Sequence, residues 1–265
     1  MKTADFFNTR SVFSLNEAAR HLAPAGGRKG TVERLKYHLK TGRLKLVTRG
    51  IYAVVPPGVP AEIYRPDPFL VAAAVRPDGV FSYHSALELL GAAHSVWIRY
   101  TLYVSQRRRP LRLNSTDICF LEHPGPMRSE YCRELGVRRI EYRGKIVQST
   151  GPERTLVEGF RRPMEVGGLQ ELIDSASGFA VLDIDLLQEI LHNYNIANLW
   201  AAIGWFLERF RKSFHVTERV LDKMAQHRPQ APQYLERSRR EGVLAARWNL
   251  LLPKELVNLG EPDER

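Results

Sequence analysis

Apolar and polar positions alternate with helical and then strand period over the first sixty residues. Ser14-Leu15-Asn16-Glu17 has capping-box spacing, with Ser14 as N-cap and Glu17 three positions on. Leu15, Ala18, Ala19 and Leu22 then recur at i, i+3, i+4 and i+7, the core stripe of a helix. Residues 2–9 predict a short helix before it, and residues 12–13 a brief strand. Residues 24–30 (PAGGRKG) break the pattern. Residues 31–40 resume it, with Val32, Leu35 and Leu39 inward and Gly42 just past the end. Residues 43–47 and 51–55 are runs rich in β-branched side chains, and Thr48-Arg49-Gly50 between them is a hairpin turn signal. This order predicts a winged helix-turn-helix domain over residues 1–55.

Pro56, Pro57, Pro60, Pro66 and Pro68 follow closely and predict a stiff, extended linker over residues 56–68. The pattern beyond it is mixed. Residues 68–75 and 82–90 read as helices, the second ended by Gly91. Residues 98–104 and 118–122 read as strands, and residues 137–142 and 145–149 as a hairpin. From Thr150 onward the period is helical. Thr150-x-x-Glu153 is a second capping-box spacing, and Asp183 can cap a helix over 184–192. Helices over 198–209 and 217–227 follow, and then a tail over 234–259 in which Arg237, Arg239 and Arg240 precede an apolar run. The fold class expected is α+β: the winged helix-turn-helix, then a larger α+β domain over 69–265, helical toward its C-terminus.

Charge sharpens the division. Residues 1–60 hold eleven Lys and Arg against Asp5, Glu17 and Glu33, a balance of +8 out of +10 for the whole chain. An excess of cations on one small domain is the electrostatic footprint of a nucleic-acid binder. With 44% hydrophobic and 26% charged residues the chain is of globular rather than disordered composition. Two cysteines give no disulfide framework and suit a reducing compartment. The opening residues lack the apolar run of a signal peptide, and no run approaches the ~20 residues that span a bilayer. A cytoplasmic protein is expected.

Candidate chemistry centres on the helix over 31–40. Opposite its apolar stripe lie Arg34 and Tyr37, while Thr31 and His38 flank the stripe. A recognition helix needs long polar side chains on its outer face to reach base edges in the major groove. Arg28 and Lys29 precede the helix N-terminus, where phosphates gather. Lys45 and Arg49 lie on the wing, placed for backbone or minor groove. The DNA-binding set expected is therefore Arg28, Lys29, Thr31, Arg34, Tyr37, His38, Lys45 and Arg49.

Other constellations carry less. Gly167-Gly168 and Asp183-Ile-Asp185 have the outline of a nucleotidyltransferase site, where paired carboxylates would hold Mg²⁺. Helix capping is the simpler reading, because those carboxylates belong on a strand and Asp183 stands at a helix start. Cys119, His123 and Cys132 lack a fourth zinc ligand at usual spacing. His84 in SYHSALELLG reads as a structural or interface residue. Arg107-Arg108-Arg109 reads first as a solvated charge run, with an auxiliary phosphate contact as the alternative. No catalytic residue, metal or cofactor is expected.

The wing phrase RGIYAV, the phrase SYHSALELLG, and PERTLVEGF with the later GGLQELID stand in one order and spacing. In these the chain resembles the AbiE-system antitoxins, regulators of type IV toxin–antitoxin operons linked to abortive phage infection. The resemblance covers most of the chain. It implies an N-terminal winged helix that represses its own promoter at DNA repeats. It implies a C-terminal domain that counters a nucleotidyltransferase-like toxin without a stable complex. It brings no catalytic residues. A plain winged-helix regulator with a ligand-sensing or dimerising C-terminal domain is the alternative that the residues leave open, together with the nucleotidyltransferase-like enzyme.

Overall fold

The computed structural model describes residues 3–22, 27–236 and 242–257. The chain is mixed α+β, in two compact units. Unit 1 comprises residues 1–81, 98–122 and 139–148, and unit 2 comprises residues 82–97, 123–138 and 149–265. The boundary therefore does not fall in the proline-rich segment. The N-terminal elements and nearly all of the central six-stranded sheet fall in unit 1.

Unit 1 begins α1 (Thr3–Thr9), β1 (Val12–Ser14), α2 (Leu15–Leu22), α3 (Gly27–Lys40), β2 (Leu44–Thr48) and β3 (Ile51–Val54). The three strands form an antiparallel sheet in the order β1-β3-β2. The capping box is formed: the Ser14 amide donates to Glu17 Oε2 at 2.7 Å and the Glu17 amide to Ser14 Oγ at 3.1 Å. Phe6, Phe7, Phe13, Ala18, Leu22, Leu35, Leu44 and Tyr52 close a core between helices and sheet. Ser14→Ala should lower stability by about 0.5–2 kcal/mol, read by chemical denaturation, because it strips one of the two reciprocal bonds. A change below a few tenths would show that β1 alone fixes the start of α2.

The segment over 56–68 is not an extended spacer. Prolines lack N–H groups, so the local turns leave carbonyls without backbone donors. Side-chain cations supply them. Lys45 Nζ donates to the carbonyls of Glu62 and Tyr64 at 3.1 and 2.7 Å, and Arg65 donates to those of Glu62 and Ile63 at 3.0 and 3.1 Å. Asp67 then caps α4 (Pro68–Val75), accepting from the Leu70 amide at 3.1 Å. This helix is apolar on every face and accordingly buried. It packs on β1 and on the main sheet.

That sheet has six strands: β4 (Val80–Phe81), β5 (Arg99–Val104), β6 (Leu111–Leu113), β7 (Thr116–Glu122), β8 (Val137–Tyr142) and β9 (Lys145–Thr150), in the order β6-β7-β5-β4-β9-β8. β5 and β7 run parallel and the β6–β7 pair antiparallel. β4 and β6 were not expected from the sequence, because two or three residues carry no readable period.

Unit 2 holds α5 (His84–Leu89), α6 (Glu130–Glu134), α7 (Pro152–Arg161), α8 (Leu169–Ser177), α9 (Ile184–Tyr194), α10 (Ala197–Arg209) and α11 (Glu218–Ala225). A small sheet of β10 (Gln233–Tyr234), β11 (Val243–Ala245) and β12 (Leu250–Leu252), in the order β10-β12-β11, and then α12 (Lys254–Val257) complete it. The described part of the expected tail thus holds strands of this sheet and α12; Arg237, Arg239 and Arg240 lie outside the described residues. Helix α7 is central and packs against α8, α9 and α10. The capping box expected at Thr150 does not form. Gly151 is the N-cap, and Thr150 Oγ1 lies 2.7 Å from Thr155 Oγ1. Glu153 turns into the core instead, accepting from Arg138 at 3.2 Å and from the Asp183 amide at 2.9 Å. Among the described residues, no helix is long and apolar enough to cross a membrane.

Candidate nucleic-acid interface

Helix α3 starts at Gly27 rather than at Thr31, so Arg28 and Lys29 stand in its first turn and not ahead of it. Both are exposed. The early start decides the fate of Thr31. It sits four residues into the helix, its hydroxyl donates back to the Gly27 carbonyl at 2.9 Å, and it is fully buried. Thr31 therefore belongs to the core side of α3 with Leu35, and it is removed from the contact set.

The outer face carries Arg34 and Tyr37, both exposed, and Tyr37 is 64% exposed despite its size. A large exposed aromatic ring on a charged helix needs support, and the structure provides it. The Tyr37 ring meets His38 edge-on at 5.3 Å, and His38 meets Phe7 of α1 edge-on at 4.9 Å. His38 is half-buried between them. Its ring thus lies between Tyr37 and Phe7. Burial, and then the charges of Arg43 and Arg34, hold the His38 imidazolium below the usual histidine range. Arg43 in turn lies over the Phe7 ring at 5.1 Å.

The β2–β3 hairpin turns through Arg49 and Gly50, the latter at φ +79. Arg49 is exposed at this tip. Lys45 is not available there. Its ammonium is spent on the carbonyls of Glu62 and Tyr64, so it ties the hairpin to the proline-rich segment. Of the eight expected positions, Arg28, Lys29, Arg34, Tyr37 and Arg49 are exposed, Thr31 is buried, His38 is half-buried, and Lys45 is half-buried and bonded to the proline-rich segment.

The remaining candidates take structural places. Asp183 Oδ1 accepts from the amides of Asp185 and Leu186 at 3.1 and 3.0 Å, the N-cap of α9. Gly167 and Gly168 both have positive φ and shape the turn into α8. Cys132 donates to Asn193 Oδ1 at 3.2 Å, and among the described residues no group of three His, Cys, Asp or Glu could hold a metal ion. His84 is buried, 3.1 Å from Glu88 and 3.4 Å from Glu171, and stacks on Trp97 at 4.8 Å. Arg107, Arg108 and Arg109 are exposed, and Arg108 lies over Phe120 at 5.9 Å.

The sequence reading missed the network around Arg154. This fully buried guanidinium donates to the carbonyls of Cys132, Arg133 and Leu135 at the end of α6, at 3.3, 2.8 and 3.0 Å. Its Nε donates to Glu158 Oε1 at 2.9 Å, and its Nη2 lies 3.2 Å from His123 Nδ1. Glu158 also accepts from the Tyr194 hydroxyl at 2.8 Å. The phrase PERTLVEGF is thus a structural hub, with Glu153, Arg154 and Glu158 all sealed from solvent.

No family model matches the chain, and no curated protein matches it. Among solved structures, the chain is similar to the RV2827C protein from Mycobacterium tuberculosis, with a TM-score of 0.57 at 18% identity. The match covers 91% of this chain and 85% of that one. At this identity the likeness is one of fold: the two chains share an α+β architecture over most of their lengths.

Proposed function

We propose that residues 1–55 form a winged helix-turn-helix and that the chain is a DNA-binding transcriptional autorepressor. The observation that carries this reading is the outer face of α3. Arg28, Lys29, Arg34 and Tyr37 are exposed on a helix whose opposite side, Thr31 and Leu35, is sealed in the core. The order of helices and hairpin, with its three-stranded sheet, agrees with that architecture. On this reading Arg34 forks onto a guanine edge and Tyr37 meets a phosphate or a thymine methyl. Arg28 and Lys29 gather phosphates at the helix N-terminus, and Arg49 reaches backbone or minor groove from the hairpin tip.

The resemblance to AbiE antitoxins extends the proposal. The DNA is then a set of repeats in the chain's own promoter, and the protein acts in the cytoplasm as the antitoxin of a type IV pair in phage defence. Its functional partner is a nucleotidyltransferase-like toxin, countered without a stable complex. The chain itself is not an enzyme on this reading, and the capping role of Asp183 agrees with that. Asp183 Oδ1 accepts from two amides of its own helix, the use expected of a cap.

Arg34→Ala should relax sequence preference. Losing a bidentate base contact costs about 1–3 kcal/mol of discrimination between operator and scrambled duplex. Competition binding reads the ratio. Equal losses on both duplexes would reduce Arg34 to a phosphate contact and remove the base-reading role from α3.

A further inference from the structure

Unit 1 carries a second concentration of positive charge, to which no residue of α3 contributes. A cavity of about 340 Å³ is lined by Asn16 and Arg20 of α2, Arg76, and Arg139 and Lys145 of the β8–β9 hairpin. A cavity of about 240 Å³ adjoins it, lined by Arg10, Arg143 and Lys145. The two share Glu17, Lys145 and Ile146, and so form one continuous groove.

Six cations line this groove and one acid, Glu17, faces them. Glu17 lies 3.8 Å from Lys145, whose ammonium is disfavoured by its burial. Arg76 is answered by a two-pronged bond to Asp78, and Arg143 by Asp67 at 3.3 Å. Arg10 shares Glu17 with Lys145, and among the described residues Arg20 and Arg139 remain without a carboxylate. Arg10 lies over the Phe6 ring, with an Nη 3.3 Å from His21 Nε2. Arg20 and Arg139 are exposed and make no hydrogen bond or ion pair among the described residues. Fixed cations held together in a concave surface without counter-charge raise a positive potential there, and this attracts a polyanion. On α2, Asn16 and Arg20 lie opposite Ala18 and Leu22, the residues that face the core.

We propose that this groove is a second nucleic-acid contact, in which Arg10, Arg20 and Arg139 hold phosphates of the DNA backbone. The inference rests on the DNA-binding reading and extends it beyond the first sixty residues. The contacts are to backbone, so they add affinity and salt dependence but no base preference.

The test uses the full chain and a long duplex spanning the DNA upstream of its own gene. Arg20→Gln with Arg139→Gln removes two exposed, unpartnered cations, and a thermal melt checks that the fold is kept. Each lost phosphate contact flattens the slope of log affinity against log salt by about 0.9, so the double variant should be shallower by about 2. The operator-to-scrambled ratio should stay that of the wild type. An unchanged slope, with the wild type still binding, would overturn the groove and leave the α3 reading intact. A changed ratio would overturn the backbone assignment. A wild type that binds no duplex would overturn both readings.

Discussion

Arg154→Met is expected to cost about 3–5 kcal/mol of folding stability, the range for breaking one side of a buried ion pair. The methionine fills much of the arginine stem but donates nothing. Glu158 would be left buried without the guanidinium that answers its carboxylate, while still accepting from the Tyr194 hydroxyl. The carbonyls of Cys132, Arg133 and Leu135, the end of α6, would lose their shared donor. Those of Cys132 and Leu135 are buried polar groups stripped of a partner. Against a total of about 5–15 kcal/mol for a folded domain, such a loss is a large fraction. Equilibrium denaturation of the full chain measures it. Adding Glu158→Gln should recover part of the loss, because the second change removes the stranded charge. A loss under about 1 kcal/mol would mean that water or repacking replaces the guanidinium, against the range expected for buried pairs.

The second large effect concerns binding. Reversing the charge of Arg28, Lys29 and Arg34 together, each to Glu, should lower affinity for the operator duplex by more than about a hundredfold. Loss of the Arg34 base contact alone accounts for roughly ten- to a hundredfold. Two lost phosphate contacts, and three carboxylates facing the backbone, come on top of it. All three side chains are exposed and none lies in the core cluster, so the fold should survive. Unit 2 is unchanged in this variant, so its stability should match the wild type.

Local chemistry was the legible part of the sequence. The Ser14–Glu17 box, the Asp183 cap and the helix Pro68–Val75 stand where short-range spacing places them. Their determinants lie within one turn of helix. The outer face of α3 was legible too, because Arg34 and Tyr37 oppose Leu35 on a helical wheel whatever the helix packs against.

What was not legible depends on contacts distant in sequence. Lys45 looks like a wing cation until Glu62 and Tyr64 turn their carbonyls toward it. Proline density marks a boundary locally, yet the same prolines leave carbonyls for Lys45 and Arg65 to collect, and the segment folds up. Thr150 and Glu153 have a capping-box spacing, but Arg138 and the Asp183 amide hold Glu153 in the core. Thr31 required one further fact, the start of α3 at Gly27. The groove pairs Arg20 with Arg139, which no local pattern connects, and a charge count that stopped at residue 60 hid it. Arg154 is the clearest case: one arginine in an ordinary amphipathic phrase is the guanidinium that closes the end of α6.

The most direct test of the central claim is fluorescence anisotropy across a salt series, with a duplex from upstream of the chain's own gene. Full-length wild type and the Arg28→Glu, Lys29→Glu, Arg34→Glu variant are compared. For about five phosphate contacts, log affinity should fall linearly with log salt at a slope near −4 to −5. The variant should bind more than about a hundredfold more weakly at low salt, with a shallower slope because its phosphate contacts are lost. Equal binding by the two proteins, or a wild-type affinity indifferent to salt, would contradict the assignment of α3 as the helix that meets DNA.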